Sequence, residues 1–263
     1  MSVDIDDKQI KAAQTGMTTA AGEGSDSIGS WLWDLVKAWL PTIMAVLFIR
    51  TFIFEPFRIP SGSMVPTLLI GDHVVVWKFS YGIWLPFVGK ELVDLGDPER
   101  GDIIVFKYPR DPSMNYIKRV VGIPGDHLRV ENNRIFLNGV EQTTEKLGAF
   151  TFTDDTCEKT PERHYVENLG GVQHSILTSM GLGGPLADHE EEIVPPDHVF
   201  VMGDNRDNSQ DSRDWGFVAY DQIKGKAHII WLSWDGCAGG VGRIRTERFM
   251  ENLYNPPEAA VTP

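Results

Sequence analysis

A long apolar segment near the N-terminus, residues 31–54 with the sequence WLWDLVKAWLPTIMAVLFIRTFIF, constrains this chain most strongly. As an α-helix it would be roughly 36 Å long, and the hydrocarbon core of a bilayer is about 30 Å thick. Asp34, Lys37 and Arg50 lie inside it, and charged groups near the ends of a span can reach the headgroup layer. The segment therefore predicts a single membrane-spanning helix. A buried core helix and a cleavable signal peptide are the alternatives.

The residues on either side of this segment argue against a cleavable signal peptide. Such a peptide begins with a short basic region and ends at a small-residue cleavage site. Here an acidic stretch comes first, and Glu-Pro-Phe-Arg follows at residues 55–58. The acidic stretch, residues 1–30, has too little apolar area for a core and is predicted to be a disordered tail. Basic residues on both sides of the apolar segment leave the orientation of the span open.

Downstream of Pro56, the sequence changes to short β-branched and aromatic runs bounded by Gly, Pro and Asp, which are typical of strands. Two such runs flank residues 131–134, Glu-Asn-Asn-Arg, and predict a hairpin. Clusters of Thr, Glu and Gly interrupt this pattern between about residues 140 and 196, which predicts a small inserted subdomain. The sequence thus predicts a mainly β domain over residues 55–263. Its clearest strand runs are 73–77, 103–108, 116–121, 198–202 and 228–234.

The charge balance and the cysteine count exclude several classes of protein. The chain has 24 Lys and Arg against 37 Asp and Glu and a net charge of −13, whereas a nucleic-acid-binding surface is basic. Two cysteines, Cys157 and Cys237, are too few for a disulfide scaffold or a four-cysteine zinc site. One disulfide bridge and two free thiols both remain open.

Two prolines enclose a serine-rich loop directly after the apolar segment, in the sequence IPSGSMVPTL at residues 59–68. Proline fixes its own φ and restricts the preceding residue, so this loop is rigid enough to present a nucleophile. A plain turn is the alternative.

A second stretch, residues 115–126, places Lys118 and Arg119 on opposite faces of a predicted strand. In one interpretation, both cations reach solvent from an edge strand. In the other, Lys118 is buried, and desolvation then lowers its pKa and makes it a candidate general base.

A third stretch, GDNRDNSQDSRDWG at residues 203–216, is dense in acids and amides. With Asp207 at position 1 of an EF-hand, Ser212 and Val218 occupy the positions that require Gly and Glu, so no metal site is predicted. Its own side chains are expected to hold this loop in shape. No histidine lies in an HExxH motif or beside a GxSxG motif, so a serine enzyme here would need lysine as its base. The histidines are His73, His127, His164, His174, His189, His198 and His228.

Together, these stretches resemble the sequence boxes of the bacterial type I signal peptidases, also called leader peptidases. The resemblance implies a catalytic domain of coiled antiparallel sheets that needs no cofactor. It implies an enzyme of the bacterial inner membrane, single-pass, with its catalytic domain on the periplasmic side. Its expected partners are membrane lipid and the signal peptides of secretory preproteins, which are cut after small residues. The matching boxes are SGSMVPTLLIGD (61–72), RGDIIVFKYP (100–109), YIKRVVGIPGD (116–126) and GDNRDNSQDSRDWGFV (203–218).

The resemblance also implies roles for individual residues, with Ser63 as the nucleophile and Lys118 as the general base. The expected supporting residues are Ser61 as an oxyanion-hole hydroxyl beside the Ser63 backbone N–H, Ser209 as the residue that orients the lysine, and Asp211 with Arg213 as an ion pair. A purely structural role explains that ion pair equally well. Two shallow apolar substrate pockets, which are equally well explained as ordinary core, are expected to be lined by Phe57, Ile59, Met64, Leu68, Val105, Tyr116 and Ile117.

Two alternative functions remain. One is a Ser-Lys processing peptidase dedicated to a substrate of a conjugation or pilus system. The other is an inactive membrane-anchored assembly factor, against which the presence of both Ser63 and Lys118 argues. A cleavage assay on one preprotein separates the enzymes from the inactive protein.

Overall fold

A computed structural model of the chain describes residues 28–48, 54–84, 91–181 and 183–255. The chain divides into two compact units, Met1–Phe48 and Ile49–Pro263. In the first unit, helix α1 spans Ile28–Phe48 and contains a proline, Pro41. Most of the predicted acidic tail, residues 1–27, lies outside the described residues, as do residues 49–53 of the predicted span.

Helix α1 covers only part of the predicted span. Among the described residues, no helix combines the length and the apolar character needed to cross a membrane. Asp34 and Lys37 form an exposed ion pair one turn apart on α1, with a distance of 3.6 Å between Lys37 Nζ and Asp34 Oδ1. The membrane-spanning helix predicted over residues 31–54 is therefore not found among the described helices.

The second unit consists of short strands with a few helical turns between them. A short helix, α2, spans Ser212–Trp215, and 3-10 turns occupy Lys78–Ser80, Tyr220–Gln222 and Thr246–Arg248. The strands are β1 (Phe54–Arg58), β2 (Asp72–Trp77), β3 (Gly82–Trp84), β4 (Glu91–Asp94), β5 (Ile103–Tyr108), β6 (Asp111–Gly122), β7 (His127–Glu131), β8 (Arg134–Leu137), β9 (Val140–Glu141), β10 (Thr143–Thr153), β11 (Lys159–Leu169), β12 (Val172–Ser179), β13 (His189–Ile193), β14 (His198–Met202), β15 (Val218–Ala219), β16 (Ile223–Asp235), β17 (Arg243–Ile244) and β18 (Glu251–Asn252).

A nine-stranded sheet dominates the second unit. Its main order is β1-β2-β16-β5-β6-β14-β15, and β17 and β18 also pair with β16. Smaller sheets have the orders β13-β7-β8-β9, β10-β11-β12 and β3-β4. Neighbouring strands in all four sheets are antiparallel. The prediction of a mainly β domain is confirmed, and its five clearest strand runs lie in β2, β5, β6, β14 and β16.

Strand β6 lies inside the large sheet, because β5 and β14 pair with its two sides. Lys118 and Arg119 are only 4% and 2% exposed there. The interpretation in which both cations reach solvent from an edge strand is therefore wrong. The reason is that β14, which lies 76 residues or more along the chain from β6, covers the edge that the local sequence leaves open.

The predicted hairpin at residues 131–134 is confirmed as the turn between β7 and β8. Glu131 pairs with Arg134, and both turn residues, Asn132 and Asn133, have positive φ angles of 48° and 62°. Asparagine tolerates this left-handed conformation, which a two-residue hairpin of this type requires.

The predicted insertion, residues 140–196, contributes to two sheets. It supplies all of the three-stranded sheet, β10-β11-β12, and strand β13, which pairs with β7 from outside the segment.

The serine-rich loop is fixed by apolar contacts on two sides. Ile59, Met64 and Leu68 are buried in the cluster that β2, β5 and β16 form. Val65 instead packs with Phe152 and Leu177 of the three-stranded sheet. Burial of each such side chain is worth roughly 1.5–3 kcal/mol, so the loop that carries Ser63 is held between the large sheet and the three-stranded sheet.

A disulfide joins Cys157 to Cys237, which decides between the two possibilities that the sequence left open. Cys157 lies between β10 and β11, and Cys237 follows β16. The bridge therefore ties one end of the three-stranded sheet to the large sheet, across 80 residues of chain.

Replacing both cysteines with serine should lower the free energy of unfolding by roughly 4 kcal/mol, because a loop of this length loses much of its freedom in the unfolded chain when it is closed. Urea denaturation of the oxidised protein and of the Cys157→Ser/Cys237→Ser variant measures the difference. Reductant should destabilise the parent protein and leave the variant unchanged. Equal stability of parent and variant without reductant would contradict the expectation.

Candidate active site

The side chains of Ser63 and Lys118 meet in the second unit. Lys118 Nζ lies 2.7 Å from Ser63 Oγ and 3.1 Å from the carbonyl oxygen of Ile117. Ser63 comes from the proline-bounded loop after β1, and Lys118 comes from the interior of β6. Both residues are buried, with exposed fractions of 7% and 4%. The pair therefore has the distance that a direct proton transfer requires.

Burial lowers the pKa of Lys118 from its ordinary value of 10.5 to about 8. Loss of hydration is the largest cause, because it disfavours the ammonium form. The negative charges of Asp211 and Asp204 raise the pKa, and the positive charge of Arg213 lowers it. The result is an amine that loses its proton close to neutral pH.

Ser63 and Lys118 open onto a cleft of about 780 Å³. Ser61, Tyr116 and Ile117 line this cleft too, as do residues 207–210. Of the other expected pocket residues, Phe57 packs against the apolar cluster under the large sheet. The remaining four are buried within that cluster, and they are Ile59, Met64, Leu68 and Val105.

Asp211 and Arg213 form a fully buried ion pair with two parallel contacts, from Arg213 Nε to Asp211 Oδ1 and from Nη2 to Oδ2, each 2.8 Å long. Burial alone would raise the pKa of Asp211, but Arg213 holds it below its ordinary value. Asp211 Oδ2 also accepts a hydrogen bond from the backbone N–H of Gly203. The pair thus fixes the start of the loop that contains Ser209.

Ser209 lines the cleft and is 7% exposed. Its side chain lies close enough to the Asp211 carboxylate to help lower the pKa of Asp211, but it makes no hydrogen bond to Lys118. Ser209 and Lys118 therefore share the cleft without a hydrogen bond between them. Gly203 explains how Ser209 and Ser63 approach one another, since a Cβ atom at Gly203 would collide with Ser209 Oγ and with the Ser63 carbonyl oxygen.

A network of buried charges lies beside the Ser63–Lys118 pair. Arg119 donates to both carboxylate oxygens of Asp204, at 2.8 and 2.7 Å, and Thr67 Oγ1 donates to the same carboxylate at 2.5 Å. Arg206 binds both oxygens of Glu167 at 2.9 and 2.5 Å. Burial would raise the pKa of Glu167, but Arg206 and His174 outweigh it and lower the pKa to about 2. Each carboxylate in the network is therefore paired with a guanidinium.

Backbone hydrogen bonds tie residues 204–206 to Ser63 and to β12. The N–H of Asn205 donates to the carbonyl oxygen of Ser63 at 3.1 Å. Leu177 of β12 donates to the Asp204 carbonyl and accepts from the Arg206 N–H, each at 2.9 Å. Residues 204–206 thus bridge the serine loop and the three-stranded sheet.

Comparison with known proteins agrees with the resemblance seen in the sequence. The family described as "Signal peptidase, peptidase S26" matches residues 32–234. The chain belongs to this family. A "Signal peptidase I" of Pseudomonas fluorescens is 46% identical over 209 residues, which cover 75% of this chain and 72% of the relative. A "Signal peptidase I" of Pseudomonas aeruginosa is 44% identical with the same coverage, and one of Aquifex aeolicus is 37% identical over 219 residues, 73% of this chain and 80% of the relative.

Among solved structures, a signal peptidase I from Enterococcus faecalis V583 is 25% identical. The match covers 51% of this chain and 98% of that one, with a TM-score of 0.31.

In this member of the peptidase S26 family, reasoning from sequence missed three parts of the site. Pro185 and Leu186, which line the cleft, lie inside the predicted insertion. Glu167 and His174 also come from the insertion and reach the charge network. The density of Gly and Pro at residues 183–185 signals a tight turn but says nothing about where it packs. The sequence marks Arg119 only as a neighbour of Lys118, because its ion-pair partner, Asp204, is 85 residues away along the chain.

Replacing Lys118 with methionine should stabilise the protein at pH 7. Folding holds the pKa of Lys118 near 8 against 10.5 in the unfolded chain, which corresponds to roughly 3 kcal/mol. Below pH 8, both states bind the proton and the whole penalty applies. Between pH 8 and pH 10.5, only the unfolded state holds the proton, so the penalty falls and vanishes above that range. Thermal or urea unfolding of both proteins from pH 6 to pH 11 measures the difference.

The exposed Lys107 on the neighbouring strand β5 offers a matched control. Its replacement by methionine should change stability little at any pH. A Lys118→Met variant that is less stable than the parent at pH 7 would show that Lys118 is not desolvated in the folded protein.

Proposed function

We propose that this chain is a membrane-associated endopeptidase that cleaves signal peptides from exported preproteins after small residues, with Ser63 as nucleophile and Lys118 as general base. The observation that carries the proposal is the buried contact of 2.7 Å between Lys118 Nζ and Ser63 Oγ. The same contact argues against an inactive assembly factor. The relatives named "Signal peptidase I" favour a general signal peptidase over a peptidase dedicated to one conjugation or pilus substrate.

In the proposed reaction, neutral Lys118 takes the proton of Ser63 as Oγ attacks the carbonyl carbon of the scissile bond. With a pKa of about 8, roughly one lysine in ten is neutral at pH 7, against roughly one in three thousand at 10.5. The resulting ammonium then gives its proton to the leaving amine. Lys118 then takes a proton from a water molecule, whose oxygen attacks the acyl carbon. The bond between that carbon and Ser63 Oγ breaks, and Oγ receives the proton back from Lys118.

The charge that develops on the carbonyl oxygen needs hydrogen-bond donors. Ser61 lines the same cleft as Ser63, and we assign its hydroxyl and the Ser63 backbone N–H to this oxyanion hole. Asp211 and Arg213 act on Lys118 from outside the reacting atoms, through their charges and through the loop that they fix. Ser209 is assigned to orient Lys118 once substrate fills the cleft. Tyr116 and Ile117 contribute to the pockets for the small residues before the cut.

Replacing either Ser63 with alanine or Lys118 with methionine should lower kcat/KM by about a thousandfold or more, and the double variant should lose little beyond that, because the two residues act as one unit. Cleavage of a purified preprotein measures the effect. The Lys107→Met variant serves as the control and should keep its activity. Processing that survives in Lys118→Met would contradict the mechanism.

The pH dependence follows from the base. We expect kcat/KM to rise about tenfold per pH unit below pH 8 and to level off above it, because only neutral Lys118 accepts the proton. Asp211→Asn removes a charge that raises this pKa, so the rise should move to lower pH. A rise centred near pH 6.5 that is lost on histidine modification would identify a histidine as the base instead.

Lipid contact is part of the proposal and rests on the large sheet. Aromatic side chains of β2 and β16 contact one another on this sheet. The ring centroids of His73 and Trp231 are 5.8 Å apart, and those of Trp77 and His228 are 4.8 Å apart. Trp77 is 52% exposed and Trp231 is 37% exposed, and tryptophan favours the membrane interface. The disulfide supports the periplasmic side of the bacterial inner membrane, since disulfides persist in oxidising compartments.

Deleting residues 1–51 should therefore leave a protein that still floats with phospholipid vesicles in a density gradient. Adding Trp77→Ala and Trp231→Ala should reduce the bound fraction by at least severalfold, because these side chains supply the apolar contact. The matched control is Val140→Ala, which alters a 64% exposed apolar side chain on the four-stranded sheet. If the truncated protein, its double tryptophan variant and its Val140→Ala variant all float equally, this face does not bind lipid. The same conclusion follows if none of the three proteins floats.

A further inference from the structure

Leu186 is an apolar cleft residue without an apparent role in the core. It lines the cleft of Ser63 and Lys118 together with Pro185. Leu186 is half-buried, Pro185 is exposed, and neither belongs to any apolar cluster of the described residues. A leucine that faces a cleft instead of the core leaves apolar surface available to a ligand.

The backbone around Leu186 is held firmly in place. Buried Arg213 donates from Nη1 to the Leu186 carbonyl oxygen at 2.8 Å. The N–H of Gly184 donates to Asp207 Oδ1 at 2.7 Å. Ala187 donates to the Gly184 carbonyl at 3.0 Å, and its own carbonyl accepts from the Asn133 N–H at 2.8 Å. These four hydrogen bonds fix the turn, so the Leu186 side chain meets a ligand with little loss of freedom.

Arg213 connects this turn to the loop at residues 203–211, which contains Ser209. The guanidinium that pairs with Asp211 also donates to the Arg206 carbonyl, at 2.7 Å, and to the Leu186 carbonyl. A single buried side chain thus sets the position of residues 185–186 relative to the loop that contains Ser209. This link gives the Asp211–Arg213 pair a second task, which is to hold a wall of the cleft.

We propose that Pro185 and Leu186 form an apolar subsite for the first or second substrate residue after the scissile bond. The inference rests on the proposed function. The residues before the cut are already assigned to the side of the cleft that Tyr116 and Ile117 line. The leaving segment must also pass through the cleft, since its amine receives the proton from Lys118. Of the described cleft residues without an assigned role, Pro185, Leu186 and Pro60 of the serine loop are apolar, whereas Asn115, Asp207, Asn208, Gln210 and Asp214 are polar. We therefore assign the wall at residues 185–186 to an apolar side chain of that segment.

Peptide substrates that differ only after the cut test this subsite. One pair has leucine or serine as the first residue after the cut, and a second pair has the same exchange at the second residue. We expect the full-length parent protein to prefer leucine in one pair by about tenfold in kcat/KM, the size that an apolar contact contributes to specificity. In Leu186→Ser the ratio should fall to about one, because the leucine substrate loses its apolar contact.

Two further variants control the experiment. Leu95→Ser makes the same exchange at a 52% exposed leucine that does not line the cleft, and it should keep the parent's ratio. Leu186→Met keeps an apolar side chain and should restore the preference. If Leu186→Ser does not fold, Leu186→Ala carries the same test. Its leucine-to-serine ratio of kcat/KM should lie between the parent's ratio and a ratio of one.

The outcomes separate the subsite from the proposed function. If the parent cuts the peptides but its ratio in both pairs equals that of Leu186→Ser, the subsite is overturned and the peptidase stands. If Leu186→Ser instead changes selectivity for residues before the cut, the placement after the cut is overturned. If the parent cuts none of the peptides, nor a full-length preprotein, the proposed function fails and the subsite fails with it.

Discussion

The burial of one amine organises the second unit of this protein. Removing an ammonium group from water costs free energy, and this desolvation lowers the pKa of Lys118 to about 8. The buried Lys118 Nζ lies 2.7 Å from Ser63 Oγ. Enclosing it requires β5 and β14 on the two sides of β6, and it requires a serine loop that packs into the core at Met64 and Leu68. The contact between Ser63 and Lys118 is thus a consequence of how the large sheet closes around β6.

The three-stranded sheet is part of the site's framework, although none of its strands supplies the Ser63–Lys118 pair. Its strand β12 shares two backbone hydrogen bonds with residues 204–206, and Glu167 of β11 neutralises buried Arg206. Removing one member of a buried ion pair leaves an uncompensated charge, which is strongly destabilising. The three-stranded sheet therefore holds residues 204–206 in place, and the disulfide between Cys157 and Cys237 ties this sheet to the large sheet a second time.

Local sequence predicted the parts of the fold that depend on near neighbours. Short β-branched and aromatic runs marked β2, β5, β6, β14 and β16, and two asparagines marked the turn between β7 and β8, because strand propensity and turn shape are local properties. The membrane-spanning helix over residues 31–54 did not appear among the described helices. The pairing of Cys157 with Cys237 stayed open, because nothing near either cysteine records a contact 80 residues away.

The sequence by itself determined the family, through four short boxes in a fixed order, and it drew attention to Ser63 and Lys118 as chemically suited to one another. Only the tertiary structure decided that Lys118 and Arg119 are both buried, that Asp204 and Glu167 neutralise the charges beside them, and that Leu186 reaches the same cleft. The physical reason is the same in each case. Desolvation and ion pairing depend on which distant segments cover a residue, and β6 acquires those partners only when β14 and the three-stranded sheet pack beside it.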